Sequence, residues 1–520
     1  MANKNLFASL AGRLLPRADR INEAGGDAYA FGPEHALAQY AATGCMNGTF
    51  YASAEVQLEA VLALASTVEP AFLAKTAVYA RQRGHMKDMP ALLLAVLSAR
   101  DPRLFAQVFD RVIDDAKMLR TFVQIVRSGA VGRKSLGTRP KKQILAWLES
   151  KSEEALFRGS VGNSPSLADV VKMVHPKPAS DRRRALYGYL IGKPHDAAHL
   201  PDAVQRFEQY KRDRAGEPPD VPFQMLTALE LGQDEWTAIA QRASWQMTRM
   251  NLNTFTRHGV FAKEGMAELV AERLRDPELV RKARVFPYQL MVAYRQAGEG
   301  VPDIVRDALQ DAMEHALQNV PHIDGRVWVC PDVSGSMSSS VTGWRKGATS
   351  AVRCIDVAAL FAAAMVRANP KARVVPFEDR VVSIQLNPRD SVMTNATKLA
   401  SIGGGGTNVS APLAKLNAER AKADLVVIVS DNQSWVDAKR HGATETMRQW
   451  ELLKHRNPQA KLVCIDVQPY AHTQAPDRDD ILNVGGFSDA VFDAVASFIE
   501  GAGSAERWVG AIEAIELIDG

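Results

Sequence analysis

Asp332, Ser334 and Ser336 stand in a D-x-S-x-S pattern directly after the apolar run Val327 to Pro331. Further along, four consecutive glycines, Gly403 to Gly406, lead into Thr407 and Asn408. A second apolar run, Leu425 to Val429, then ends in Ser430-Asp431-Asn432. The apolar runs read as buried strands, and in an open α/β sheet ligands gather just outside the carboxyl ends of the strands. Asp332, Ser334, Ser336, Thr407 and Asp431 together offer two carboxylates and three hydroxyls, with no imidazole and no thiolate. Such hard oxygen donors suit Mg²⁺, with Mn²⁺ as the alternative, held octahedrally with waters retained. Taken alone, D-x-S-x-S serves equally well as a helix cap; Thr407 and Asp431, in the right order, turn the reading towards a metal. No nucleophile–base pair accompanies the set, so it predicts a binding site and no catalytic residue.

Two halves of different construction must position these groups. From residue 30 to about 320 the pattern is helical. Leu58, Val61, Leu62 and Ala65 form one apolar stripe, and Phe105, Val108, Phe109, Val112 and Ile113 repeat it. Frequent breaks, such as Pro70, Pro102, Gly129, Pro140 and Pro277, suggest short helical hairpins stacked as a solenoid. From Arg326 the pattern alternates, with strands expected at 326–331, 372–377, 380–384, 424–430 and 461–467. Helices are expected near 355–368, 408–420, 442–456 and 487–499, which implies a mostly parallel, doubly wound sheet. The expected domains are 1–322, all-α, and 323–520, α/β.

Charge divides along the same line. Residues 1–300 carry 41 Lys and Arg against 32 Asp and Glu, whereas residues 301–520 carry 22 against 27. The excess peaks at 101–200, with 18 against 10. A localised basic surface is the electrostatic footprint of a polyanion binder. Its densest segment holds Arg133, Lys134, Arg139, Lys141 and Lys142 beside Gly129, Gly132 and Gly137. A glycine-flexed basic loop entering a helix can lay N–H groups and cations against phosphates. A second patch, Lys172, His175, Lys177, Arg182, Arg183 and Arg184, follows with no offsetting acids expected nearby. The four cysteines are scattered with no C-x-x-C spacing, no stretch is apolar enough for a membrane span, and no signal peptide is read at the N-terminus, so a cytosolic location is expected.

The oxygen constellation resembles the metal-ion-dependent adhesion site of von Willebrand factor A domains. That resemblance implies direct metal binding by Ser334, Ser336 and Thr407, with Asp332 and Asp431 acting mostly through water. Gly132 to Gly137, Val174-His175-Pro176-Lys177-Pro178 and Asn251 to Phe261 resemble the TROVE module. With Asp431-Asn432 where many A domains have D-G, the chain is similar over nearly its whole length to the Ro 60 kDa autoantigen family, its bacterial members above all. The resemblance implies a closed ring of HEAT-like helical repeats that the A domain helps to close. It also implies small Y-type non-coding RNA on the outer surface and single-stranded 3′ ends of misfolded RNA in the central hole. His175 matches a family histidine on the Y RNA surface, and Arg158 stands where the family has a lysine. The segment 337–353, with Trp344-Arg345-Lys346-Gly347, is either a cover for the metal site or an ordered surface loop.

The expected function is a non-catalytic RNA scaffold in quality control or degradation, and the resemblance to the bacterial branch implies an exoribonuclease such as polynucleotide phosphorylase as partner. The alternative is a metal-dependent protein-binding adaptor, whose metal site takes an acidic side chain from a protein ligand. A hydrolytic role lacks the carboxylate cluster that usually bridges two ions.

Overall fold

The computed structural model describes residues 15–517 apart from 163, 284, 286, 318–319, 345–351, 438–441, 489 and 501–506. The helices of the first half begin and end where local chemistry demands. Asp101 accepts the N–H groups of Arg103 and Leu104, Pro102 fills the first helical position, and the helix runs Pro102–Val112. Asp115 caps Ala116–Ser128, which stops at Gly129 in the left-handed region, φ +92°. The apolar stripes of these two helices meet: Phe105, Phe109 and Phe122 are fully buried, with ring centroids 5.4 to 5.8 Å apart. Phe109→Ala is expected to destabilise the helical half by about 3–5 kcal/mol, read as a lowered denaturant midpoint.

The strands are β1 (Arg20–Ile21), β2 (Asp27–Ala30), β3 (Val327–Pro331), β4 (Arg373–Val374), β5 (Leu425–Ser430), β6 (Lys461–Asp466), β7 (His472–Thr473) and β8 (Ile481–Gly485). Five of them make a parallel sheet in the order β4-β3-β5-β6-β8. Alternate residues leave opposite faces. Val329, Val427, Val463 and Leu482 join one core with the helix Cys354–Ala368, and that core is continuous with the helical half. Trp328, Val426, Ile428 and Leu462 join a second core with Leu416, Trp450 and Leu453.

Two expectations for this half need correction. The stretch 380–384 is not a strand: Val381 makes a single isolated bridge with Phe377. On that side Pro376, which offers no N–H, can only accept, taking the Val382 N–H at 2.8 Å. The fifth strand is β8 instead, and the helix Val392–Ala400 adds an element that the pattern did not show.

The α/β half grips both ends of the helical run. At one end Asp356, its side chain 2% exposed, is ion-paired with Arg295 at 2.8 Å and with Arg353 at 2.7 Å. Arg367 pairs with Glu314 at 3.2 Å, and Tyr288 meets Phe487 edge-on. At the other end β2 pairs antiparallel with β7, Asn22 donates to the Ser434 carbonyl at 2.7 Å, and Gln39 donates to Asp466. Trp508 donates to the Tyr79 hydroxyl at 3.0 Å. The chain therefore closes into a ring of helical repeats sealed by the α/β half.

Candidate metal centre and basic surface

β3 and β5 are neighbours, with Pro331 paired to Val429, so the residues that follow them emerge side by side. Asp332 donates its N–H to the Val429 carbonyl at 2.9 Å, and Asp431 follows Ser430 directly. Ser334 opens, and Ser336 lies within, one turn of 3₁₀ helix, Gly335–Ser338. The Thr407 hydroxyl donates to Ser334 Oγ at 3.0 Å, and Ser334 Oγ lies 3.3 Å from Ser336 Oγ. One oxygen of Asp332 accepts the Ser334 N–H at 2.8 Å and the other accepts the Ser430 hydroxyl at 2.6 Å. All five residues read from the sequence are brought together, and none is more than 4% exposed.

The glycine run is what lets Thr407 arrive. Gly405 has φ +70° and its carbonyl accepts the Gly335 N–H at 3.1 Å; a Cβ there would stand 2.3 Å from the Glu378 carboxylate. Asn432 has φ +63°, which accounts for Asn where other A domains carry Gly, since both tolerate the left-handed region. Its side chain donates to the His472 carbonyl at 3.0 Å.

Burial raises the Asp332 carboxyl above the ordinary carboxylate range, and burial together with the Asp332 charge raises Asp431 further. Among the described residues neither is in an ion pair. Two dry, uncompensated carboxylates facing three hydroxyl oxygens fit a hard divalent cation, which would neutralise the charge that burial opposes. Ser334, Ser336 and Thr407 would hold such an ion, with Asp332 and Asp431 beside it.

Tyr51 was not foreseen. Its phenol, from the loop preceding the helix Ala54–Thr67, stands beside the Ser336 and Thr407 side chains, where burial and the Asp431 charge raise its pKa. The loop is fixed by Thr49 against the Tyr470 hydroxyl at 3.1 Å and by the Trp344 N–H on the Gly48 carbonyl at 2.7 Å. Asn47 donates to the Thr342 carbonyl at 2.7 Å. The described part of 337–353 thus packs on the helical half, while Arg345, Lys346 and Gly347 lie outside the described residues. No spacing in the sequence marks Tyr51, because it acts across the ring seam. Tyr51→Phe is expected to weaken Mn²⁺ binding about tenfold, as loss of a polar group that supports a ligand does; unchanged calorimetric affinity would mean that the phenol only packs there.

In the basic loop, Gly129, Gly132 and Gly137 all take positive φ. Lys134, Arg139 and Lys142 are exposed and Lys141 is half-buried; Arg133 turns inward to the Ser98 carbonyl at 3.2 Å. Among the described residues these five cations make no ion pair. The second patch differs from the expectation, because acids do offset it. Arg158 pairs with Asp220 at 2.6 Å, Arg182 with Asp202 at 3.6 Å, and Arg184 with Asp181. Asp202 and Asp220 are distant in sequence and reach the patch only through packing between helices. Arg183 is 12% exposed, paired with Glu153 at 2.9 Å, and donates to the carbonyls of Leu148 and Lys151, both at 2.7 Å. It clamps the end of the helix Thr138–Ser150. Arg183→Ala is therefore expected to lower stability by about 2 kcal/mol, mainly through carbonyls left without a donor, which a thermal melt would show. Lys172, His175 and Lys177 stay exposed, and His175 ends its helix at φ +54° rather than packing inside. The basic loop and the Arg183 clamp sit at opposite ends of a 13-residue helix, roughly 20 Å apart.

A helical-repeat ring sealed by a von Willebrand A-type domain, with an adhesion-type oxygen constellation at the carboxyl end of its sheet, is the class of protein that this architecture defines. The family described as the Ro60 vWA domain matches residues 326–499. The chain is 25% identical over 548 aligned residues to the RNA-binding protein RO60 of Deinococcus radiodurans, covering 96% of this chain and 99% of that protein. It is also 25% identical over 275 residues to the RNA-binding protein RO60 of Caenorhabditis elegans, covering 50% of this chain and 41% of the worm protein. The crystal structure of the D. radiodurans RO (RSR) protein matches with a TM-score of 0.61 at 21% identity, over 90% of this chain and all of that one. Over nearly its whole length the chain is thus similar to Ro 60 kDa proteins, and its α/β half matches the Ro60 vWA family. Among the described residues no helix is long and apolar enough to cross a membrane.

Proposed function

We propose that this chain is a non-catalytic RNA-binding ring, acting as a scaffold in RNA quality control or degradation in the cytoplasm. The observation that carries the reading is a set of cations without ion pairs among the described residues: Arg133 and Lys134 in the loop of left-handed glycines, and Arg139, Lys141 and Lys142 at the start of the helix Thr138–Ser150. Both RO60 relatives, named as RNA-binding proteins, support it. In this reading Lys172, His175 and Lys177, with the arginines beside them, meet a structured Y-like RNA on the outer surface. The loop cations lie nearer the path of a single-stranded 3′ end, and an exoribonuclease such as polynucleotide phosphorylase receives what the ring presents. Neutralising Lys172, His175 and Lys177 should weaken a stem-loop RNA more than a duplex with a 3′ tail; equal losses for both RNAs would collapse the two sites into one.

The metal centre serves binding, with Mg²⁺ or Mn²⁺ as the ion. None of its five donors is hydrogen-bonded to a histidine among the described residues, so no imidazole stands ready as a general base. The purified protein should leave RNA intact with or without divalent metal. Cleavage that needs metal and vanishes in Asp431→Ala would overturn the scaffold reading. Against the alternative of an adaptor that takes an acidic side chain from a protein ligand stands Tyr51, whose phenol already lies beside two of the donors from within the chain.

A further inference from the structure

The α/β half is acidic as a whole, yet its cations are not evenly spread. At the end of the sheet opposite the metal centre, Arg326, Lys371, Arg373 and Lys422 surround a cleft of about 350 Å³. They come from three separate segments, just before β3, at the start of β4 and just before β5. All four are exposed, and among the described residues none is in an ion pair. The one acid lining the cleft, Glu419, is taken by Lys415 at 2.7 Å. Nearby Asp424 accepts the Arg326 backbone N–H at 2.7 Å.

The cleft also has a rigid wall. Trp328, 6% exposed, donates its indole N–H to the Lys422 carbonyl at 3.0 Å. The Arg373 guanidinium lies over the indole ring, 5.2 Å from its centroid, and Arg373 is the register partner of Trp328. A guanidinium already stacked gives up less freedom when it binds, and its planar fork matches a phosphate in two-point contact. Five of the eight lining residues are charged, and Val327, Trp328 and Ala421 offer few apolar subsites for peptide side chains. Four dispersed cations suit a chain that repeats its charge at every unit.

We propose that this cleft binds the phosphate backbone of a nucleic-acid strand, a contact on the α/β half additional to those of the helical half. It rests on the RNA-binding reading above and extends it to a face that the charge count of the sequence had set aside.

The test uses the full-length protein and a fluorescent single-stranded RNA of about 20 nucleotides, with anisotropy followed across a salt series. Lys371→Ala with Lys422→Ala should lower the slope of log affinity against log salt by about 1.4, at ~0.7 per lost contact on a single strand. Lys371→Glu with Lys422→Glu should weaken binding further. Arg373→Lys, which keeps the charge and loses the fork, should weaken it without changing the slope. RNA carrying 4-thiouridine should cross-link to 326–328, 371–373 or 419–422. If the wild type binds and both lysine variants match it in affinity and slope, the cleft proposal fails while the RNA-binding reading stands. Displacement by polyglutamate at lower charge concentration than RNA would assign the cleft to acidic peptides and overturn the proposal. Absence of any wild-type binding would remove both.

Discussion

Replacing Asp332 and Ser334 together by alanine is expected to abolish Mg²⁺ and Mn²⁺ binding while leaving the helical half folded. The double variant removes one of the two carboxylates and the hydroxyl through which Thr407 and Ser336 are linked. It also leaves the Ser430 hydroxyl without its acceptor, a loss of about 1–3 kcal/mol for a buried group. Relief of the repulsion at Asp431 works in the opposite direction. Calorimetry that finds wild-type metal affinity in this variant would place the ion elsewhere. The raised carboxyls give a pH dependence of definite sign. Metal competes with protons for Asp332 and Asp431, so affinity should fall from pH 8 towards pH 5, earlier than ordinary carboxylates would allow. Without metal, the folded state binds these protons more tightly than the unfolded chain. Stability should therefore rise as pH falls through the raised range, and saturating Mg²⁺ should flatten or reverse that trend.

Neutralising Lys134, Arg139, Lys141 and Lys142 is expected to produce the largest change in RNA binding. Arg133 is left in place because it ties the loop to the Ser98 carbonyl. At ~0.7 per contact the salt slope for single-stranded RNA should drop by about 2.8. Over a fourfold rise in salt the wild type should then lose about fiftyfold more affinity than the variant. An unchanged slope would mean that these cations face solvent only. Metal affinity should be untouched in this variant, just as RNA affinity should change little when the metal site is emptied, because the two sets lie on different halves.

The convergence of the five oxygen-bearing residues was legible because each sits at a strand end or beside a glycine run, and both signals are local. Strand ends depend on apolar runs such as Leu425 to Val429, and the reach of Thr407 depends on Gly405 having no side chain. Tyr51 was illegible for the opposite reason: it comes within reach of Ser336 only because the ring closes. The paired state of the second basic patch was hidden likewise, since Asp202, 20 residues from Arg182, and Asp220, 62 residues from Arg158, come alongside only through tertiary packing. β8 was missed because Ile481, Leu482 and Val484 form too short an apolar run, behind Asp479 and Asp480. Its assignment depends on β6 lying alongside.

Ring closure also sets a timetable for biosynthesis. Glu23 and His472, hydrogen-bonded partners across the seam, are 449 residues apart in the chain. At the usual ~5–20 residues per second of translation, the first waits roughly 20 to 90 seconds for the second to be made. During that interval β2 has an unpaired edge, and the helix Pro33–Thr43 has no β8 to pack against. The nascent helical arc is therefore an open crescent, exposed to chaperones and to premature RNA capture, and it becomes a ring only when the α/β half has folded between its two ends.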